Sequence, residues 1–354
     1  MDFIINPNPL YIFENARLNK QSTRKNRRKR KPPRRTRKIP QIKVLQSPRD
    51  VVNPQFKKQR ARESLKVKMN CSPAVDKISV GHSCYTPKIL IMIRDAYNKD
   101  HSESDKIRES DPTKLWAVLN SRFVQCKKED CWLNEIKDAQ LRRQIDRYIF
   151  APDKPYEWKK NPNEWLSNYD ILNVLEQYEQ THHHFEFIGP TPIDFDKNVN
   201  GKCVYNELCA FQLSDQLKRK KRAIGVIFNL SPHTSSGSHW VSLFIDTKAR
   251  IIFYFDSAGA KIPKEIAAFV ERVQSQIRAM NQRDYTFYEN CPKEHQMGNT
   301  ECGMYSLFFI ITMLTGKMRL EKGVLSTRRK IHLFKHRTIP DKYVEKYRNV
   351  YFND

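Results

Sequence analysis

From about residue 80 the chain is a succession of helix-period and strand-like apolar patterns. Residues 87–93 (Pro-Lys-Ile-Leu-Ile-Met-Ile) begin a helix with apolar positions on most faces. Residues 112–119 predict a second, with Asp111 as N-cap and Pro112 in the first helical position. A charged helix is expected over about 133–149. Residues 151–165, rich in Pro, Lys and Trp, read as a linker or wrapping loop. Ser167 can cap a further helix in which most of Tyr169, Ile171, Leu172, Leu175 and Tyr178 share a face.

The strands come next. Residues 223–230 (Ala-Ile-Gly-Val-Ile-Phe-Asn-Leu) are almost continuously apolar, which suits a strand buried on both faces. After loop residues 232–237, the stretch 240–245 predicts a second strand and 251–255 a third. A helix is expected over about 263–280, with Ile266, Phe269, Val270 and Val273 on its apolar face, and a short strand over 285–288. Residues 302–314 are apolar nearly throughout and predict a helix buried in the core. The implied fold is α+β: a mixed, mostly antiparallel central sheet flanked by helices. The chain is divided into a helical accessory domain at 76–155, a core domain at 156–316 and a basic helical extension at 317–354. No internal repeat is present.

Charge changes the picture at the N-terminus. The chain has 354 residues and a net charge of +25, yet residues 1–70 hold 21 Lys and Arg against 4 Asp and Glu. A run from Arg24 to Lys38 is interrupted only by Asn26, Pro32-Pro33 and Thr36. Such a segment buries too little apolar surface to compensate its ordering entropy, so residues 1–75 are expected to form a basic, disordered arm. Nucleic acid is the first candidate partner; a solvated tail or nuclear-import signal is the alternative. No run of 18 apolar residues exists, so no membrane span is expected. With no apolar signal-peptide core, the eight cysteines are expected to be reduced thiols of a cytosolic or nuclear protein.

Four residues stand where chemistry can be done. His239 opens one predicted strand, Asp256 closes the next, Cys302 opens the buried helix, and Gln296 precedes it by six residues. A helix N-terminus and a nearby imidazole both favour a thiolate. His239 can take up the thiol proton and return it to a leaving amine. Asp256 on the other ring nitrogen would fix the tautomer. The Gln296 amide and the Cys302 backbone N–H could hold an oxyanion. Taken singly, a Cys at the start of an apolar helix is more often a small buried hydrophobe. A lone His before Trp is more often structural, and an Asp after a strand is more often a cap.

The sequences Gly-Ser-His239-Trp, Tyr-Phe-Asp256-Ser and Gln296-Met-Gly-Asn-Thr-Glu-Cys302-Gly together resemble the signature of the adenovirus-protease/SUMO-protease superfamily of cysteine peptidases. The resemblance covers about residues 160–316. Residues 81–86 (Gly-His-Ser-Cys-Tyr-Thr), 126–133 and 187–196 are similar to segments of the core-protein proteases of nucleocytoplasmic large DNA viruses, as is Asn299-Thr-Glu-Cys302-Gly303. The resemblance implies a cysteine endopeptidase that processes viral structural polyproteins at Gly-containing sites during virion maturation. Trp240 and Gly303 would then bind substrate, Trp240 lining a groove that admits only Gly-like residues. The expected setting is the virion and the host cytoplasm at the assembly site, or the nucleus, with no secretion and no cofactor.

Other signals are weaker. Cys126-x4-Cys131 has zinc-compatible spacing but no well-matched second pair, since Cys203, Cys209 and the His182–His184 run are the only neighbours. No metal is expected. Cys291 could be a redox partner of Cys302. The basic run Lys218–Arg222 is a solvated face or an extension of a polyanion patch. Glu301 could form a salt bridge and is given no catalytic role. Two rival readings remain: a SUMO or ubiquitin-like deconjugating protease, and a nucleic-acid-associated structural protein with an inactive protease domain. The chain has no Gly-Gly or Gly-x-Gly, so self-processing is not expected if the enzyme demands such sites.

Overall fold

The computed structural model describes residues 68–75, 79–81, 83–318 and 322–354. Most of the basic arm and His82 of the 81–86 motif lie outside the described residues. Residues 68–75 are packed: Met69 and Val75 are buried, and Cys71 bridges to Phe150.

Three helices build the N-terminal part: α1 (Pro87–Lys99), α2 (Pro112–Arg122) and α3 (Ala139–Ile149). Thr86, Asp111 and Asp138 cap them through side-chain oxygens that accept first-turn N–H groups. The Asp138 cap divides the single helix expected over 133–149. A 3₁₀ stretch, Glu129–Glu135, ends before it and α3 begins after it. Tyr85, Leu90, Leu115, Leu119, Trp132 and Ile149 close a core around these elements.

Residues 151–165 wrap, with Trp158 buried in the short 3₁₀ turn Tyr156–Lys159. Ser167 and Asp170 form a reciprocal capping box at α4 (Asn168–Thr181). Then follow β1 (Phe185–Pro192), the two-residue strands β2 (Asn198–Val199) and β3 (Lys202–Cys203), and short helices α5 (Asn206–Cys209) and α6 (Leu213–Lys218). The main sheet continues with β4 (Ala223–Asn229), β5 (Trp240–Asp246) and β6 (Ile251–Phe255), then α7 (Lys264–Ala279) and β7 (Thr286–Glu289). Helix α8 (Cys302–Thr315) is followed by α9 (Thr327–His336), α10 (Asp341–Glu345) and α11 (Arg348–Tyr351).

The sheet order is β1-β4-β5-β6-β7. Its centre, β4-β5-β6, is antiparallel, and the two outer strands join in parallel. Alternation along the strands feeds two cores. Ile224, Val226, Val241, Leu243 and Ile252 face α7 through Ile266, Phe269 and Val273. Ile227, Phe244, Phe253 and Phe255 face α4, α8 and the C-terminal segment. Helix α8 is apolar all round because the sheet covers one side and Phe334, Val344 and Tyr347 the other. Among the described residues no helix is long and apolar enough to cross a membrane.

Three cysteine pairs are bonded: Cys71–Cys84, Cys126–Cys131 and Cys203–Cys209. The expectation of reduced thiols is corrected at these six positions. The fold brings the Cα atoms of the pairs to 5.1, 5.7 and 6.4 Å, within the span a disulfide bridges. The zinc-spaced sulfurs are therefore used in bonds. Cys291 and Cys302 are free.

Candidate active site

Strand register brings the predicted pair together. Ser242 of β5 pairs with Phe255 of β6, so the residue before β5 and the residue after β6 extend past the same end of the sheet. His239 donates from Nε2 to Asp256 Oδ1 at 2.7 Å. The same oxygen accepts the Ala258 N–H at 2.8 Å. Asn290 clasps the Asp256 backbone, accepting its N–H at 2.9 Å and donating to its carbonyl at 2.6 Å. The carboxylate is thus buried but aimed, and it holds the imidazole in one tautomer and one plane.

Cys302 is the first residue of α8, and its sulfur is close enough to His239 to favour the protonated ring. Burial opposes charge on the imidazole. The hydrogen bonds and charges of Asp256 and Cys302 outweigh it and raise the His239 pKa from 6.5 to about 10. The ring is therefore a stable imidazolium next to the sulfur at a helix N-terminus, the setting that best supports a thiolate. Glu301 occupies the N-cap position, yet its side chain makes no capping bond. The first-turn N–H groups are left free of that carboxylate.

Gln296 lies in the loop before α8 and is buried. Its Oε1 accepts the Ser257 hydroxyl at 2.7 Å, and its Nε2 donates to the Gly298 carbonyl at 2.9 Å. The Gly298 carbonyl can only accept, so it fixes which end of the amide is Nε2, and the Ser257 hydroxyl then donates to the oxygen at the other end. One Nε2 hydrogen remains. The Ser257 carbonyl also accepts the N–H groups of His295 and Gln296, each at 2.9 Å. Gly259 lets the two loops meet this closely: its φ is +72°, and a Cβ would stand 2.8 Å from the Lys293–Glu294 backbone.

Trp240 packs beside Gly303, the residue after Cys302. Its Nε1 donates to the Leu166 carbonyl at 3.1 Å. A Cβ on Gly303 would lie 3.1 Å from Leu166 Cβ and 3.2 Å from Trp240 Cδ1. The structure thus gathers His239, Trp240, Asp256, Gln296, Cys302 and Gly303 at one end of the sheet. Cys291 is half-buried and unbonded. Within the basic run, Lys218, Arg219 and Lys221 are ion-paired with Asp215, Glu186 and Glu179.

Sequence reasoning missed Ser257, Asn290 and His295. Ser257 had a signal, since it directly follows Asp256. Asn290 and His295 had none, because their partners are 34 to 44 positions away.

A thiol at a helix N-terminus, a His–Asp pair at adjoining strand ends and a loop Gln define the site of a cysteine protease. Residues 204–341 match the Ulp1 protease family, C-terminal catalytic domain. The chain is 32% identical over 252 residues to an Acanthamoeba polyphaga mimivirus protein named as a thiol protease, spanning 67% of this chain and 82% of that one. It is 26% identical over 231 residues to an African swine fever virus cysteine protease, spanning 60% and 81% of the two chains. The crystal structure of the African swine fever virus protease superposes with a TM-score of 0.54 at 20% identity, over 82% of this chain and 98% of that one. The chain belongs to the Ulp1 family of cysteine proteases.

Proposed function

We propose that this cysteine protease processes structural polyproteins of a large DNA virus at Gly-containing sites during virion maturation. The observation that carries the reading is the packing at Cys302. Trp240 and Leu166 close on Gly303, the residue after Cys302, so tightly that a Cβ there would lie 3.1 Å from Leu166 and 3.2 Å from Trp240. We take the same crowding to extend to the substrate side of Trp240, where a residue with no Cβ fits best. The kinship with viral proteases supports the same reading. A fold match over 82% of this chain must also reach into the helices before residue 156, which a catalytic domain alone would not need.

Each residue has a role in the proposed reaction. The Cys302 thiolate attacks the scissile carbonyl carbon and forms a C–S bond. The carbonyl electrons move to oxygen, where the free Nε2 hydrogen of Gln296 and the Cys302 N–H receive them. The tetrahedral intermediate collapses, the C–N bond breaks, and the His239 imidazolium gives its proton to the leaving amine. Neutral His239 then takes a proton from water as that water attacks the acyl-enzyme, and the thiolate leaves. Asp256 keeps the ring aimed throughout.

Removal of SUMO-like modifiers is the second reading, favoured by the Ulp1 family match. Cleavage of a Gly-Gly-X polyprotein peptide set beside a SUMO fusion separates the two. The proposal expects the peptide to be cut; exclusive cleavage of the fusion overturns it. We further propose that the basic arm binds nucleic acid and keeps the enzyme at the virus assembly site. Deleting residues 1–40 should then remove most polyanion affinity and flatten its salt dependence. An unchanged salt slope refutes this.

A further inference from the structure

Loop 295–301 carries Gln296 and delivers Cys302, and the C-terminal segment holds it from outside at three points. His295, fully buried, donates from Nε2 to the Phe334 carbonyl at 2.9 Å and accepts the Ile339 N–H at Nδ1 at 3.2 Å. This pattern requires a neutral ring. Asp341 accepts the N–H groups of Met297 at 3.1 Å and Gly298 at 2.8 Å, and the Tyr305 hydroxyl at 2.9 Å. Gly298 is the residue whose carbonyl holds the Gln296 amide. Arg348 forms a buried bidentate pair with Glu301, with Nη2 at 2.8 Å from Oε1 and Nε at 3.1 Å from Oε2.

Arg348 reaches the opposite wall as well. Its Nη1 donates to the Glu164 carbonyl at 2.9 Å, and its guanidinium lies 4.3 Å over the Trp158 ring. Two residues on, Leu166 holds Trp240. At α2 and α3 the N-cap carboxylates turn back onto the helix. At α8 the N-cap carboxylate of Glu301 is drawn off to Arg348 instead, with the Thr300 hydroxyl and the more remote Glu345 as its other polar neighbours. The N-terminus of α8 is thereby kept clear for the thiolate and the oxyanion.

We propose that Asp341 and Arg348 are positioning residues of this active site. Asp341 sets the loop that aims Gln296, and Arg348 sets the entry to α8 and removes a carboxylate from beside Cys302. The inference rests on the roles proposed above for Cys302 and Gln296. It extends them to side chains of the C-terminal segment.

The test compares full-length wild type with Asp341→Asn, Arg348→Met, Arg348→Lys and the double variant Glu301→Gln/Arg348→Met. Steady-state cleavage of a Gly-Gly-X peptide is read beside the rate of Cys302 alkylation by iodoacetamide at pH 6, with circular dichroism to score folding. Asp341→Asn should lower kcat roughly ten-fold with KM changed less than about two-fold, because orientation rather than binding is lost. Its alkylation rate should match wild type. Arg348→Met should slow both kcat and alkylation, because it leaves a carboxylate beside the sulfur. Arg348→Lys and the double variant should recover alkylation. Wild-type kcat and alkylation in folded Asp341→Asn and Arg348→Met overturn the proposal. So do losses that merely track the unfolded fraction. The alkylation arm needs no substrate. The expected alkylation pattern without peptide cleavage supports the Arg348 assignment while overturning the substrate reading.

Discussion

The Ser257 hydroxyl donates to Gln296 Oε1 at 2.7 Å, so the residue after Asp256 holds one end of the amide proposed to bind the oxyanion. The two are 39 positions apart and meet because loops 256–259 and 293–296 pack backbone to backbone. Removing the hydroxyl leaves the amide held by the Gly298 carbonyl alone, so its remaining N–H is aimed less well. Ser257→Ala should therefore lower kcat about ten-fold, and Gln296→Ala about a hundred-fold or more, the scale of one lost oxyanion donor. KM should change little in both. A Ser257→Ala enzyme with wild-type kcat would show that the loop alone orients the amide.

The raised pKa of His239 sets the pH behaviour. The imidazolium persists up to about pH 10, so kcat/KM should hold until an alkaline limb near that value. Asp256→Asn removes a charge that favours the imidazolium, and the limb should move toward neutrality. Stability follows the same sign. A folded pKa above the unfolded value of 6.5 favours the fold fully below 6.5 and loses that contribution as pH rises through about 10. The Tm gap between wild type and Asp256→Asn should narrow over that window. A gap that widens with pH would contradict the assignment.

Legibility of the fold followed burial. Strands β4, β5 and β6 and helix α8 are covered on both sides, so their apolar runs were continuous and their limits came out within a residue or two. Strand β1 was not legible as a strand. It is an edge, pairing only with β4, and the Gly189-Pro190-Thr191-Pro192 that ends it is what an unpaired edge tolerates and what a sequence reader takes for a turn. At the site, His239, Asp256, Gln296 and Cys302 carried a recognisable pattern. The residues that hold them did not. Asn290, His295, Asp341 and Arg348 act through contacts 34 to 47 positions away, each an ordinary polar residue until the chain is folded.

Gly303, the residue after Cys302, is closely packed. An added methyl would stand 3.1 Å from Leu166 Cβ and 3.2 Å from Trp240 Cδ1, closer than ordinary contact. Leu166 or Trp240 must then shift, at a cost of about 1–3 kcal/mol. Gly303→Ala should lower Tm and reduce kcat/KM between about ten- and a hundred-fold, since small displacements at the reacting atoms are expensive. Trp240→Ala should widen the slot. Its expected signature is weaker cleavage of Gly-Gly-X peptides with relative gain for Ala-Gly-X. Equal loss on both peptides would assign Trp240 to packing alone.

The C-terminus also ties the catalytic half to the N-terminal helices. Asn353 Oδ1 accepts the Asn70 N–H at 2.6 Å, and its Nδ2 donates to the Ala151 carbonyl at 2.8 Å and the Asn70 carbonyl at 3.2 Å. Asn70 in turn donates to the Asn349 and Phe352 carbonyls at 2.8 and 2.7 Å. Asn353 is buried, so truncation leaves polar backbone groups without partners or water. Asn353→Ala should destabilise the protein by about 1–3 kcal/mol, the usual penalty for such groups. Asn353 lies just beyond Arg348, so loosening it should also make the active-site loop more dynamic. Hydrogen exchange of the described residues should quicken at 68–72 and at 295–301 together. Faster exchange confined to 68–72 would show that the anchor and the active-site loop are uncoupled.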